Sequence, residues 1–142
     1  MSITLETAKL IISGAFAKAA ELGLKPLAVV VLDAGGHVTA FERQDGASNG
    51  RFQIAHGKAA GAVALGIGSR ALMTRAEAQP YFVAAAGASL GGALVPVPGG
   101  VLVRDASGRL LGAVGVTGDT SDNDETCAVA AIEGVGLRAE TG

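Results

Sequence analysis

The spacing of apolar residues in the first third of the chain predicts one helix followed by a strand pair. From Thr4 to Leu22 apolar residues recur at helical spacing, with most charges on the other side and Gly23 as a stop. After Pro26, the segment 27–32 is apolar at every position, which is typical of a strand covered on both faces of its sheet. A glycine turn and Val38–Glu42 then complete a hairpin.

The middle of the chain predicts three helical segments. A helix begins near Arg51, behind a polar loop in which Ser48 and Asn49 are candidate N-caps. Shorter helices follow over Arg70–Gln79 and Tyr81–Ala86, and the proline between them forces a break. The apolar side of the helix near Arg51 is built from small residues, so another element can approach it closely.

The last third predicts a loop, a second hairpin and a final helix. Gly87–Gly100 is rich in glycine and proline, with a short edge strand expected around 94–95. Val101–Arg104 and Leu110–Thr117 flank a turn, and helical spacing returns from Asp122. We therefore predict one α/β domain of the α+β type over residues 1–142, with an antiparallel sheet of about five strands and helices on both faces.

Composition narrows the class of protein. Hydrophobic residues make up 49% of the 142 and charged residues 17%, against roughly 25% charged in typical domains, so we expect a homo-oligomer. The net charge of −2 without a basic run argues against nucleic-acid binding. One cysteine excludes an intramolecular disulfide and fits a reducing, cytoplasmic location. Neither a signal peptide nor a membrane span is expected.

The acidic turn Gly118–Glu125 opens the final helix and is the most distinctive stretch. Ser121 with Asp124 matches a capping box, a second register lies one residue later, and acids complement the helix dipole. Such crowding of carboxylates disfavours a phosphate cradle. The functional alternative is that Asp119 and Thr120, just outside the cap, face a cleft and hold a ligand.

Two histidines are available for metal or proton chemistry. His56 lies among small apolar residues on the helix near Arg51, so it is either a core or interface residue, or an iron ligand or acid–base group. His37 lies beside the glycines of the first hairpin and is the weaker metal-ligand candidate.

Three basic residues and two glycines complete the candidate site. Arg43 and Arg51 either lie on a solvated face or capture a carboxylate as a bidentate fork. Desolvation of Lys58 would lower its pKa and allow base or amine chemistry. Gly99 and Gly100 form a structural turn or the wall of a pocket.

Five spaced motifs together resemble the GlcG/HbpS family and cover nearly the whole chain. They are Asp33–Gly36, Arg43–Gly46, Lys58–Ala59, Pro98–Val101 and Gly112–Asp119. The resemblance implies an α/β/α sandwich with a five-stranded antiparallel sheet, assembly into dimers or larger rings and, for some members, binding of haem or a related tetrapyrrole. The related C-terminal domain of PduO-type proteins shares that trait.

The resemblance makes His56 the first candidate for an iron ligand and His37 the second, with Met73 and Cys127 as the remaining soft candidates. The leading hypothesis is a small-molecule-binding protein whose ligand is haem or a related tetrapyrrole. A small polar metabolite is an alternative ligand.

Two other functional hypotheses remain open. One is an isomerase or lyase acting on a small carboxylated metabolite, with Arg43 or Arg51 binding the carboxylate and Lys58, His56 or Asp119 transferring protons. The other is a structural or interaction subunit without a ligand.

Overall fold

The computed structural model describes residues 2–142, which form five helices and five strands. The helices and strands in chain order are α1 (Leu5–Leu22), β1 (Ala28–Asp33), β2 (Val38–Arg43), α2 (Arg51–Leu65), α3 (Ser69–Ala78), α4 (Pro80–Ser89), β3 (Gly100–Arg104), β4 (Leu110–Thr117), α5 (Ser121–Gly134) and β5 (Arg138–Glu140). None of the helices within this range combines the length and the apolarity that a membrane span requires.

The five strands form one antiparallel sheet in the order β2-β1-β4-β3-β5. The predicted hairpins β1–β2 and β3–β4 are confirmed, and both all-apolar strands, β1 and β4, are internal. At one end of the sheet, Ala28 lies between Arg43 and Thr117, while Asp33 pairs with Gly112 at the other end. This register fixes which loops share an end of the sheet.

The fifth strand does not lie where the sequence pattern placed it. Residues 94–95 form no strand, and β5 near the C-terminus pairs with β3 instead. The Val95 amide donates to the Gly57 carbonyl at 3.1 Å. A Cβ on Gly61 would lie 3.2 Å from Cα of Leu94. The segment therefore crosses the small-residue face of α2 and never reaches the edge of the sheet.

Alternate residues of β1 point into two apolar layers. Val29 and Val31 pack in the layer with α1 and α5, whereas Val30 and Leu32 pack in the layer with α2. All four side chains are fully buried. This two-sided burial explains the continuous apolar run of β1 and confirms an α/β/α sandwich.

Helix α2 approaches the sheet closely because glycines face it. A Cβ on Gly115 of β4 would lie 2.1 Å from the Ala55 carbonyl oxygen, and one on Gly100 of β3 would lie 2.2 Å from the Lys58 carbonyl oxygen. Real Cβ contacts do not come so close, so only glycine allows this approach. The approach places the Lys58 side chain against β3 and β4.

The observed helix starts correct two predicted caps. Thr120, not Ser121, caps α5, and its hydroxyl accepts from the Asn123 amide at 3.2 Å. The carboxylate of Asp124 is buried instead of capping the helix. Helix α2 starts after Gly50 without any side-chain cap, so the predicted caps in the preceding loop are also wrong.

Candidate functional site

The most deeply buried charges are Lys58 and Asp124, whose side chains are each 2% exposed. The Lys58 Nζ donates to Oδ2 of Asp124 at 3.1 Å and to the Val116 carbonyl at 2.9 Å. The other carboxylate oxygen of Asp124 accepts from the Asp119 amide at 3.0 Å. The pair therefore ties together α2, β4 and the start of α5.

Burial shifts the pKa values of both residues in this pair. Desolvation lowers the pKa of Lys58, with Asp124 opposing that change and Arg51 adding to it. Desolvation likewise raises the pKa of Asp124, against the effect of the Lys58 charge. Lys58 lines none of the four cavities described below. The desolvation of Lys58 agrees with the hypothesis drawn from the sequence. Its role in proton transfer stays a prediction.

Gly99 and Gly100 pack against Lys58. Gly99 has a φ of +122°, and a Cβ there would lie 2.8 Å from the Lys58 Nζ and 2.6 Å from the Val116 carbonyl oxygen. The predicted close approach of a neighbour is thus present. What approaches these glycines is α2, and their role in a ligand pocket stays a prediction.

Asp119 and Thr120 build the turn between β4 and α5. The Asp119 carboxylate accepts from the amides of Lys25 and Thr120 and from Nδ2 of Asn123, at 2.8–3.0 Å. These donors, Asn123 foremost, lower the pKa of Asp119 to about 2. Neither Asp119 nor Thr120 lines any of the four cavities.

The two arginines predicted to bind a carboxylate lie at different cavities. Arg51 lines a cavity of about 230 Å³, where it donates from Nη1 to the Thr117 hydroxyl at 2.8 Å and from Nε to the Ser48 hydroxyl at 3.2 Å. Arg43 is exposed and lines a neighbouring cavity of about 580 Å³ that also contains Glu42 and Asp45. The smaller cavity is therefore the more basic one.

His56 lies at a third, apolar cavity of about 270 Å³ between α2 and the β1–β2 turn. The other lining residues are Gly35, Gly36, Ala60, Val63, Ala64, Leu90 and Ala93. The ring of Phe52 stacks on the imidazole, with centroids 5.6 Å apart and an interplanar angle of 22°. No hydrogen bond among residues 2–142 involves the His56 imidazole, so neither ring nitrogen is engaged by another residue.

The other candidate iron ligands are placed less favourably. His37 is 82% exposed, and its Nδ1 lies 3.4 Å from a carboxylate oxygen of Asp33. Cys127 is wholly buried in the core, where desolvation raises the pKa of its thiol to about 11. This burial does not favour Cys127 as an iron ligand. Met73 is half-buried on α3 and lines none of the four cavities.

No cluster of three or more histidine, cysteine, aspartate or glutamate side chains within the described range could hold a metal ion by itself.

A fourth cavity, of about 360 Å³, lies between α1 and α5 and is lined mainly by small and apolar residues. Two contacts were not predicted from the sequence: that of Asp124 with Lys58 and that of Phe52 with His56.

The fold is an α/β/α sandwich, and one imidazole, that of His56, lies at an apolar cavity. The family model of haem-degrading, HbpS-like proteins matches residues 3–133. The chain therefore belongs to the HbpS-like family, which confirms the resemblance read from the motifs. None of the curated proteins gives a significant match.

Solved structures support the same assignment. PduOC, solved in complex with haem, is 25% identical to this chain and superposes with a TM-score of 0.85. The alignment covers 96% of this chain and 97% of the PduOC chain. A double mutant of Streptomyces reticuli HbpS is 26% identical, with coverages of 95% and 88% and a TM-score of 0.80. Klebsiella pneumoniae ORFY is 27% identical, with coverages of 92% and 88% and a TM-score of 0.79.

Proposed function

We propose that this protein binds haem or a related tetrapyrrole, and that His56 supplies an axial ligand to the iron. The observation that carries the proposal is an imidazole without a hydrogen-bond partner at an apolar cavity. Histidine is a common protein ligand of haem iron. The family description and the haem complex of PduOC make this ligand class the first to test.

The chemistry around His56 suits such a ligand. The lining residues other than His56 are glycine, alanine, valine and leucine, so no carboxylate lines the cavity. Phe52 holds the imidazole from one side and packs edge-to-face on Phe41 at 4.8 Å, which restrains the ring before any ligand arrives. A restrained, unpaired imidazole loses little freedom on binding iron.

The size of the cavity bears on how the ligand is covered. Its volume of about 270 Å³ lies just below the range of about 300–1,000 Å³ usual for sites that enclose a drug-sized ligand. A flat ring of tetrapyrrole size would therefore be only partly covered by one chain. The homo-oligomer predicted from composition would supply the remaining cover from a second copy.

A haemin titration followed by absorbance tests the proposal, since the chain has no tryptophan for fluorescence quenching. We expect a shifted Soret band with the natural chain and at least about a tenfold loss of affinity with His56→Ala, because loss of outer-shell partners alone costs a metal site about 10–100-fold. His37→Ala is the matched control and should bind as the natural chain does. Equal spectra and affinities for His56→Ala and the natural chain would refute ligation by His56.

The family description names haem degradation, and our proposal concerns the binding step on which such an activity depends. An acid–base role for Lys58 in an isomerase or lyase gains no support from its 2% exposure.

A further inference from the structure

We propose that the cavity around Arg51 is a second binding site, selective for a small oxyanion such as a carboxylate or phosphate group. This cavity has a volume of about 230 Å³ and is lined by Lys25, Pro26, Gly46, Ala47, Ser48, Arg51 and Gly118. A cavity of this size is too small for a large ring but has room for an anion of a few atoms. The proposal is independent of haem binding.

The lining of this cavity carries positive charge that no acidic lining residue balances. Two of the lining residues, Arg51 and Lys25, are cationic, and none is acidic. Across residues 2–142, neither cation has a carboxylate oxygen within 4.0 Å, whereas Arg70, Arg104 and Lys58 all do. A concave surface with two unpaired cations raises the local concentration of anions.

The guanidinium of Arg51 is held in a fixed orientation. Its Nη1 donates to the Thr117 hydroxyl at 2.8 Å, and its Nε donates to the Ser48 hydroxyl at 3.2 Å. Arginine has five N–H donors in a planar fork, so these two bonds leave three for another acceptor. Thr117 is itself buried, at 1% exposure, and so provides a fixed support. The group is therefore oriented in advance for a planar or tetrahedral oxyanion.

The start of α2 has charges opposite to those that stabilise a helix. Helices α1 and α5 each begin with a threonine cap and at least one acid in the first turn. Helices α2, α3 and α4 have neither. Arg70 in the first turn of α3 is paired with two carboxylates, whereas Arg51, the first residue of α2, has no carboxylate partner among residues 2–142. Because a helix N-terminus favours negative charge, a cation there is unfavourable unless an anion offsets it. A bound oxyanion at the cavity would do so.

One carboxylate lies beside the cavity and must be taken into account. Asp119 accepts from the Lys25 amide, so its negative charge weakens the attraction for an anion. Its two oxygens already take three N–H donors, none of which comes from the Arg51 guanidinium. Glu42 and Asp45 line the neighbouring, larger cavity. Among the residues that line the cavity, together with Asp119, there are two cations and one engaged carboxylate.

The oxyanion site and the His56 cavity lie at opposite ends of β1. Thr117, which holds Arg51, pairs with Ala28 at the first residue of β1, whereas the turn after Asp33 lines the His56 cavity. Six residues of strand separate these ends by about 17 Å, at about 3.3 Å per residue. On α2, however, Arg51 and His56 are only five residues apart, about 7.5 Å along the helix axis at 1.5 Å per residue. The anion titration is therefore done without haemin.

The test is an NMR titration of the ¹⁵N-labelled full chain at low ionic strength, with inorganic phosphate in one series and malonate in the other. We expect saturable shifts of the Ser48 and Gly118 amides with at least one of the two anions. Arg51→Gln should weaken that binding by about tenfold or more, since a charge-assisted hydrogen bond is lost. Lys25→Gln should weaken it less, because Lys25 is the more exposed side chain.

Arg43→Gln is the matched control, because it removes an exposed arginine from the adjacent cavity and should leave anion affinity within about twofold. Amide spectra of each variant establish that it is folded, and Lys25→Gln carries the test if Arg51→Gln unfolds. Absence of saturable shifts with both anions, or equal losses in Arg43→Gln and Arg51→Gln, would overturn the proposal.

Discussion

Replacement of Lys58 by methionine should destabilise the fold strongly, because it strands a buried carboxylate. Asp124 is 1% exposed, and after the substitution its charge would keep only the hydrogen bond from the Asp119 amide. Breaking a buried pair by removing one partner costs about 3–5 kcal/mol. Methionine nearly conserves the side-chain volume, so the loss would reflect charge and not a cavity.

The expected fall in melting temperature follows from this range. At roughly 3–4 °C per kcal/mol for a domain of this size, the fall is about 10–20 °C. Urea unfolding followed by circular dichroism gives the free energy of unfolding directly, provided that m is unchanged. Lys18→Met is the control, because Lys18 and Glu21 form a 3.3 Å pair that is 29% and 68% exposed. That exposed pair should be worth less than about 1 kcal/mol.

A double variant separates charge burial from packing. Lys58→Met combined with Asp124→Leu removes both buried charges, so it should be more stable than Lys58→Met alone. It remains less stable than the natural chain, because the Asp119 amide loses its acceptor at a cost of about 1–3 kcal/mol. Losses below about 1 kcal/mol for Lys58→Met, or strictly additive losses in the double variant, would refute this account of the pair.

Three further predictions concern the turn after β4 and the glycine beside Lys58. The pKa of Asp119 is lowered to about 2 in the folded chain, so its stabilising contribution is present above the unfolded pKa of about 3.9 and is lost as the pH falls through 2. The difference in unfolding free energy between the natural chain and Asp119→Asn, measured by urea unfolding, should therefore shrink below pH 4. A difference that stays constant with pH would contradict this. Thr120→Ala should cost about 1 kcal/mol through the lost cap of α5, whereas Ser121→Ala, the control, should cost little. Gly99→Ala should cost more than about 1 kcal/mol from strain and overlap with Lys58, and a neutral effect in thermal melts would disprove the close packing.

The central strands were predictable because their signal is local. Leu27 to Leu32 is apolar at each position, and only a strand buried on both faces requires this. The edge strand β5 lacks that signal, since its three residues are half-buried or exposed. Its position depends on pairing with β3, about 36 residues earlier, as in the ion pair of Arg104 with Glu140. Nonlocal pairing of this kind leaves no periodicity in the sequence.

Candidate residues could be named from the sequence, but their arrangement in space could not. Lys58 lies on a helix face of alanine and glycine, and this neighbourhood suggested its desolvation. Its acidic partner was not predicted. Four acids lie within Gly118–Glu125, and the choice of Asp124 depends on a contact across 66 residues. The separation of Arg43 from Arg51 likewise follows from the packing around Pro26, which lines both of their cavities.

Pulsed EPR of the ferric haem complex tests the central claim, ligation of iron by His56, most directly. The chain has only two histidines, so ¹⁵N-histidine labelling of the His37→Gln variant leaves His56 as the sole labelled imidazole. Our account predicts a ¹⁵N coupling of the strength of a directly bonded ligand in this variant and its disappearance in His56→Ala. A haem complex of His37→Gln without such a coupling would contradict it.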